Sequence, residues 1–355
     1  LGFDDVDLTD MHAVSVVLVS STNTGGVALG AMNSQLIADT IHGAGGEVTW
    51  TYEVDNSSVQ FLRAGQTVTE IYAVTVGDGH GGLTTQNLTV TVTGTEDAPL
   101  LTAGGSGTVT EDAAASAQDI APITGTLAVT DLDVGNALSA SVVGSPAVTL
   151  DGHAFTLPAG ATSLIDHALS FQTGVTSNGG AASIGWSYDP SAVNLDFLRE
   201  GQQLVLTYTV GVNDGLTDSG AQTVAITITG TNDLPTITGS AAAVDEAGDA
   251  HAQMISLVGA IAVTDLDVGD TLTASVTGAP VVMLDGHAFT LPTGAAALID
   301  SAALSFDNAG HLSNGSTTGI GWSYQPGAAD LDFLKQGQTL TLTYAVDVSD
   351  GTGTS

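Results

Sequence analysis

Cysteine is absent from all 355 residues. That excludes a disulfide framework, a thiol nucleophile and any zinc site built on thiolates. It does not argue for a reducing compartment, since large secreted repeat proteins often lack cysteine. Positive charge is almost as scarce: 3 Lys and Arg stand against 38 Asp and Glu, a formal net charge of −35. A phosphate-binding surface needs clustered cations, so nucleic acid is not a partner. Anionic membrane is repelled for the same reason. No apolar run approaches the ~18 residues of a membrane span, so direct membrane insertion is not expected. Aromatics make up 5% of the chain, few for lining a substrate groove. Gly-x-Ser-x-Gly, His-Glu-x-x-His and a phosphate loop are all missing. Two-carboxylate glycosidase chemistry needs only a pair of acids. Scarce aromatics and nearly interchangeable repeats speak against it. The chain is therefore not expected to be an enzyme, and no catalytic or organic-cofactor residue is assigned. No signal peptide is visible and the chain opens at Leu1, so an excerpt from a longer protein is expected.

What is abundant is acid, and the partner that suits such a chain is a cation. Self-repulsion of this size disfavours compact states unless counter-ions or bound metals offset it. A generally solvated acidic surface would explain the sign of the charge. It would not explain why the carboxylates recur in short fixed motifs.

The motifs lie in three copies of one repeat. Trp50, Trp186 and Trp322 are evenly spaced. The same step carries Phe61-Leu62-Arg63 onto Phe197-Leu198-Arg199 and Phe333-Leu334-Lys335. It carries Gly94-Thr95-Glu96-Asp97-Ala98-Pro99 onto Gly230-Thr231-Asn232-Asp233-Leu234-Pro235. Val-Thr-Asp-Leu-Asp-Val-Gly occurs at 129–135 and 263–269, and Leu-Asp-Gly-His-Ala-Phe-Thr-Leu-Pro at 150–158 and 284–292. Asp5-Val6-Asp7 is the first copy of the Asp-x-Asp element. The expected domains are 1–97, short at its N-terminal side, 98–233, complete, and 234–355, short at its C-terminal side. Both ends lack material and the deficits do not fill each other, so exchange of strands between chains is not expected.

Each copy is long enough to bury its own core. Leu204, Leu206, Tyr208 and Val210 alternate with Val205, Thr207 and Thr209, and Leu340, Leu342, Tyr344 and Val346 repeat the pattern. Period two with one apolar face marks a half-buried antiparallel strand. Glu70 breaks the pattern where Leu206 and Leu342 stand. Trp186 and Tyr188 share a face and read as core anchors. One helical segment per copy is expected, around 192–201 in the second, as a single turn between strands. About seven strands per copy, joined by Gly- and Asp-rich turns, give an all-β chain. The expected architecture is tandem immunoglobulin- or cadherin-like β-sandwiches stacked end to end.

Calcium takes six to eight oxygens at about 2.3–2.6 Å. Short Asp-x-Asp loops suit it, because alternate residues of an extended loop project carboxylates to one side. Copy one offers Asp5, Asp7, Asp78 and the closing Glu96-Asp97. Copy two offers Glu111, Asp131, Asp133, Asp214 and the closing Asn232-Asp233. Copy three offers Glu246, Asp265, Asp267 and Asp350. Any single Asp-Gly pair is equally a plain turn. The linker and the Asp-x-Asp element repeating in register point to calcium as the bound ion.

Taken in order, Glu-Asp, Val-Thr-Asp-Leu-Asp-Val-Gly, Val-Asn-Asp-Gly and Thr-Gly-Thr-Asn-Asp-Leu-Pro resemble the cadherin-like repeats of giant bacterial adhesins. That family is named for Vibrio, Colwellia, Bradyrhizobium and Shewanella (VCBS) and occurs within secreted RTX-type adhesins. The resemblance runs along the whole chain and implies calcium clamped between successive domains. It implies that Glu96, Asp97, Asp131, Asp133 and Asp214 hold the ions at the first junction. At the second it implies Glu111, Asn232, Asp233, Asp265, Asp267 and Asp350. It further implies an extracellular place, on the bacterial surface or secreted by a type I route. The partners are then neighbouring repeats of the same chain and, through other domains, surface glycans. Two departures from the animal cadherin pattern point to one or two ions per junction rather than three. Gly94 and Gly230 stand where that linker carries a further acid. No Asp-Arg-Glu tripeptide occurs, and its nearest matches, Asp196 and Glu200, are not both kept.

The expected function is a calcium-stiffened spacer of a surface adhesin serving cell or biofilm attachment. The alternatives are repeats that themselves bind a carbohydrate or surface, or a self-assembling matrix filament or surface layer. Asp78-Gly79-His80-Gly81-Gly82 echoes a nonapeptide calcium repeat once only, so no β-roll is implied. His153 and His287 read as turn residues. All three basic residues, Arg63, Arg199 and Lys335, hold the same position of the repeat. They are expected to pair with a carboxylate or carbonyl, or to cover apolar surface with their stems.

Overall fold

The computed structural model describes residues 1–40, 42–113, 118–190, 192–248 and 251–354. It is built almost wholly of strands, arranged as three tandem β-sandwiches end to end. Among the described residues no helix is long and apolar enough to cross a membrane.

The middle domain shows the plan most fully. One sheet runs Leu169–Phe171, Ala181–Tyr188, Ile123–Thr130, Leu100–Ala103. The other is centred on Gln203–Asn213. Gln222–Thr229 flanks it on one side, and Ala137–Val142 with Ala147–Leu150 flanks it on the other. The chain then switches sheets: after Leu100–Ala103 it crosses over, and Gly105–Thr110 runs parallel to Gln222–Thr229. Two facing sheets, of four and seven strands, with the domain's first strand crossing between them, make an immunoglobulin-like sandwich.

Alternation decides which face is core. Along Gln203–Asn213 every second residue is buried, and Leu204, Leu206, Tyr208 and Val210 meet Leu127, Ile184 and Trp186 from the facing sheet. Tyr188 and Tyr208 stand edge to face at 6.2 Å. Trp186 and Tyr188 are core anchors, at 3% and 0% exposed, whereas the first copy's Trp50 is 42% exposed.

The first domain pairs Gly2–Phe3, Gly46–Glu53 and Ala31–Ala38 in one sheet and Ala13–Ser21, Thr67–Gly77 and Leu83–Thr93 in the other. The third pairs Thr236–Thr238, Gln253–Thr264, Thr318–Ala329 and Leu304–Phe306 opposite His287–Ala288, Thr273–Leu284 and Leu340–Ser349.

The helical expectation is met in part. In the second copy the described residues within 192–201 form turns, with the Leu198 N–H on the Leu195 carbonyl at 2.8 Å, and the equivalent stretch of the first copy is the 3-10 turn Asn56–Ser58. Longer 3-10 segments, not expected, lie at Ala159–Leu164 and Thr293–Ile299, which buried alanine and leucine anchor to the core.

Candidate metal centres at the domain junctions

Each linker is extended and short, and its backbone reaches directly into the next domain. At the first junction the Asp97 N–H donates to Asp133 Oδ2 at 3.1 Å, and the Val134 N–H donates to the Phe61 carbonyl at 3.1 Å. At the second the Asp233 N–H donates to Asp267 Oδ2 at 2.8 Å. The linker glycines follow from packing. A Cβ at Gly94 would lie 2.3 Å from the Leu62 carbonyl oxygen, and one at Gly230 would lie 2.4 Å from the Arg199 carbonyl oxygen. The further acid of animal cadherin linkers has no room here.

The Asp-x-Asp loops are locally self-organised. Asp131 Oδ1 accepts the Asp133 N–H and Asp265 Oδ1 accepts the Asp267 N–H, both at 2.9 Å. Gly135 and Gly269, both at positive φ, close these turns. One oxygen of each first aspartate is thus consumed by backbone while the other points away from it. Asp214 binds the Leu216 and Thr217 N–H groups at 2.8 and 2.7 Å, and Asp350 binds the Thr352 N–H at 2.7 Å.

These side chains meet where two domains and a linker converge. At the first junction Thr217 Oγ1 lies 3.0 Å from Asp214 Oδ2 and 3.4 Å from Glu96 Oε1. At the second, Asn232 donates to Asp350 Oδ2 at 3.1 Å. Asp131, Asp133, Asp265 and Asp267 are all buried. Five carboxylate oxygens there have no hydrogen-bond partner: Glu96 Oε2, Asp131 Oδ2, Asp133 Oδ1, Asp265 Oδ2 and Asp267 Oδ1. A buried, unpaired carboxylate oxygen is costly unless a cation or a proton meets it.

The electrostatics agree. Burial, then the neighbouring Asp214, pushes the Glu96 carboxyl up to about 7. Burial raises Asp131 and Asp133 as well. At the second junction burial lifts Glu111 to about 8, Asp267 to about 7, and Asp233 and Asp265 to about 6. Asp214 and Asp350 go the other way, since the N–H groups they accept outweigh burial. The donors are all hard oxygens in mutual repulsion, the ligand type that suits calcium.

The second junction holds one group more. Carboxylate oxygens of Glu111, Asp196 and Asp233 all lie within 4.8 Å of one another. Glu111 is fixed by the Thr231 N–H at 3.1 Å and by Gln118 at 3.2 Å. In the sequence Asp196 stands out only as a near match to the absent Asp-Arg-Glu tripeptide, so it is not among the expected ligands.

The remaining expected ligands lie in different settings. Asp5 repeats the turn of Asp131, accepting the Asp7 N–H at 2.8 Å. Its second oxygen meets His12 Nε2 at 2.9 Å, and His12 Nδ1 meets Asp39 at 2.7 Å. Asp5, Asp7 and Asp10 also bring carboxylate oxygens within 4.8 Å. Asp78 closes its own turn, accepting the His80 and Gly82 N–H groups at 2.7 and 2.9 Å. Glu246 is exposed, in the irregular stretch between Thr236–Thr238 and Gln253–Thr264.

No protein-family model matches the chain, and no curated protein matches it. Solved structures similar to it include repeats EC1–3 of mouse clustered PcdhgC3, at 15% identity, 91% of this chain, 85% of that chain and a TM-score of 0.33. Repeats EC1–3 of Protocadherin Gamma C5 share 14% identity over 94% of this chain and 88% of that one, with a TM-score of 0.34. Repeats EC21–23 of human CDH23 share 14% over 87% and 88%, with a TM-score of 0.32.

Proposed function

We propose that the chain is a calcium-stiffened spacer, a non-catalytic rod of sandwiches within a secreted bacterial surface adhesin of the VCBS, RTX-associated kind. The observation that carries this reading is the pair of buried carboxylate clusters at the junctions, each assembled from a linker and the domain after it and each with orphaned oxygens. At the first junction Glu96, Asp97, Asp131, Asp133 and Asp214 hold calcium. At the second, Asn232, Asp233, Asp265, Asp267 and Asp350 do, with Glu111 and Asp196 widening the site. Asp5, Asp7, Asp78 and Glu246 serve the equivalent loops that face outward to further repeats. The domain limits follow the linkers: 1–97, 98–233 and 234–355.

An ion at a junction ties together oxygens that otherwise repel, so bending requires breaking coordination. Calcium is scarce in cytoplasm and plentiful outside, so a chain whose junctions become fully rigid only on binding it can pass a type I exporter while less rigid and set afterwards. Attachment to cells, biofilm or glycans then belongs to other domains that the rod holds at a distance. Ligand binding to the folded state alone adds RT ln(1 + [L]/Kd), about 2.7 kcal/mol per site at a hundredfold excess.

The test is calorimetric titration of the full chain with calcium, joined to small-angle scattering in calcium and in chelator. Saturable binding at both junctions and a longer, stiffer particle in calcium are expected. Equal scattering curves and equal melting temperatures in the two conditions would defeat the reading.

A further inference from the structure

The three basic residues are the only fixed positive charges on a chain of net charge −35, and two of them cross a domain boundary. Arg63 belongs to the first domain, yet its Nη1 donates to the Gly135 carbonyl of the second at 3.3 Å. Arg199 belongs to the second domain, and its Nη1 lies 3.8 Å from Asp270 Oδ1 of the third. Both guanidinium groups press on the same spot. A Cβ built at Gly135 would lie 3.8 Å from Arg63 Cζ, and one at Gly269 would lie 3.4 Å from Arg199 Nη1. That glycine ends the Asp-x-Asp-Val-Gly turn, so each arginine grips the loop that carries two of the acids.

The arginine is held on its own side as well. Gln66 and Gln202 each accept the N–H of their arginine, at 3.3 and 3.1 Å, and each donates its own N–H back to the arginine carbonyl, at 2.9 and 3.0 Å. The same turn receives the linker, since the Gly94 and Gly230 N–H groups bond the Gln66 and Gln202 carbonyls at 2.8 and 2.9 Å. One short turn therefore fixes the start of the linker and extends a cation to the next domain. Arg63 also acts on the cluster by charge, drawing the Asp133 carboxyl down against its burial.

We propose that Arg63 and Arg199 form a metal-independent latch that keeps each junction docked when no calcium is bound. A planar guanidinium presents several donors at fixed angles and stays charged at any ordinary pH. It is therefore suited to hold a carbonyl-rich, acid-bearing turn through the calcium-free state. The chain then does not search all interdomain angles before the ion arrives. The latch does not depend on calcium being the ion, so its failure and the failure of the spacer reading can be told apart.

The experiment uses the full chain carrying a fluorophore pair across each junction in turn, with R63Q and R199Q compared with the parent. Distance distributions are recorded in chelator and in saturating calcium, and core melting is followed in parallel. In chelator the parent should give a distribution wider than its own in calcium but narrower than that of R63Q, the difference from R63Q appearing at the first junction only. R199Q should broaden the second junction only. Saturating calcium should narrow both variants again, with the melting of the domain cores unchanged. Identical distributions for parent and variants in chelator, whether all narrow or all broad, would overturn the latch. Broadening that calcium does not reverse, together with loss of a core transition, would also overturn it, because the arginine would then be a structural residue of its own domain.

Discussion

The second and third domains carry nearly the same strand, yet bury it to different depths. Leu204, Leu206, Tyr208 and Val210 are all buried, whereas Leu340, Leu342, Tyr344 and Val346 are only half-buried. Within residues 1–355 the difference lies beside the strand, since the repeat position that matches Gln222–Thr229 falls after Ser355. Gln222–Thr229 lies along Gln203–Asn213, and Gly105–Thr110 along Gln222–Thr229. Among the described residues of the third domain, Leu340–Ser349 pairs with Thr273–Leu284 alone. The core follows: one continuous cluster in the second domain, two smaller ones in the third. A period-two pattern names the face that seeks cover, and the neighbouring strand decides how much it receives.

The largest test of this comparison is a matched pair of truncations. Leu206→Ala should cost about 3 kcal/mol or more, since a fully buried leucine leaves both transfer energy and a cavity. Leu342→Ala should cost roughly half of that, because water already reaches the site. Denaturant melts in calcium, read domain by domain, would check it. Equal losses would mean that the third domain's strand is as well covered as the second's.

The first domain extends the comparison at the same position, where Glu70 stands in the core and is completely buried. In the second domain Tyr188 and Tyr208 both donate to the Leu164 carbonyl, at 3.0 and 2.7 Å. In the third, Tyr324 and Tyr344 do the same to Leu298. Those carbonyls lie in the last turn of the 3-10 segments Ala159–Leu164 and Thr293–Ile299, and copy one is shorter in this region. There the Glu70 carboxylate accepts from Tyr72 at 2.7 Å, Tyr52 at 3.1 Å and the Leu29 N–H. A side-chain acceptor has replaced a backbone one. Glu70→Ala should therefore destabilise the first domain by on the order of 2–3 kcal/mol, the cost of orphaning several buried donors. A Glu70→Leu variant as stable as the parent would show that those tyrosines find other partners.

Much of this was legible in the sequence, and the remainder was not for definite reasons. The three copies, the alternation and the junction acids are local patterns, so they can be counted directly. Glu70 is a local anomaly whose explanation is a carbonyl contributed by a different segment in the other copies. Asp196 is a poor match to any repeating acid motif, since Asp196 and Glu200 are not both kept in the other copies, and only the fold brings it beside Glu111. The arginines were legible as a set, but their partners lie across a boundary that no periodicity reveals. The 3-10 segments are too short and too rich in alanine and glycine to declare themselves by spacing.

The junctions respond to pH in a direction that follows from their burial. Glu96, Glu111, Asp233, Asp265 and Asp267 are raised to between about 6 and about 8 in the folded chain. A carboxyl raised on folding holds its proton longer in the native state, so its contribution to stability is present in acid. That contribution is lost as pH rises through the folded value. In chelator the chain should thus be more stable and more compact near pH 5 than near pH 8. With calcium the dependence should invert, since ion and proton compete for the same oxygens. Melting temperatures measured at both values, with and without chelator, would test the sign. A calcium-free chain that gains stability on going from 5 to 8 would contradict it.

The smallest effect returns to the tyrosine pair and separates the loss of a hydrogen bond from the loss of cover. Tyr208→Phe removes one of two donors to the Leu164 carbonyl and leaves Tyr188 in place, so no buried acceptor is orphaned. The loss should be that of a single neutral hydrogen bond, about 1 kcal/mol. Tyr344→Phe removes the equivalent bond to Leu298, 3.0 Å long and half-buried. Water can replace that donor, so the change should stay within about 0.5 kcal/mol. Ring packing is untouched in both variants, which isolates solvent access as the variable. If Tyr344→Phe costs as much as Tyr208→Phe in the same denaturant melt, water does not reach the third domain's pair. The contrast between the two domains would then rest on the leucines alone.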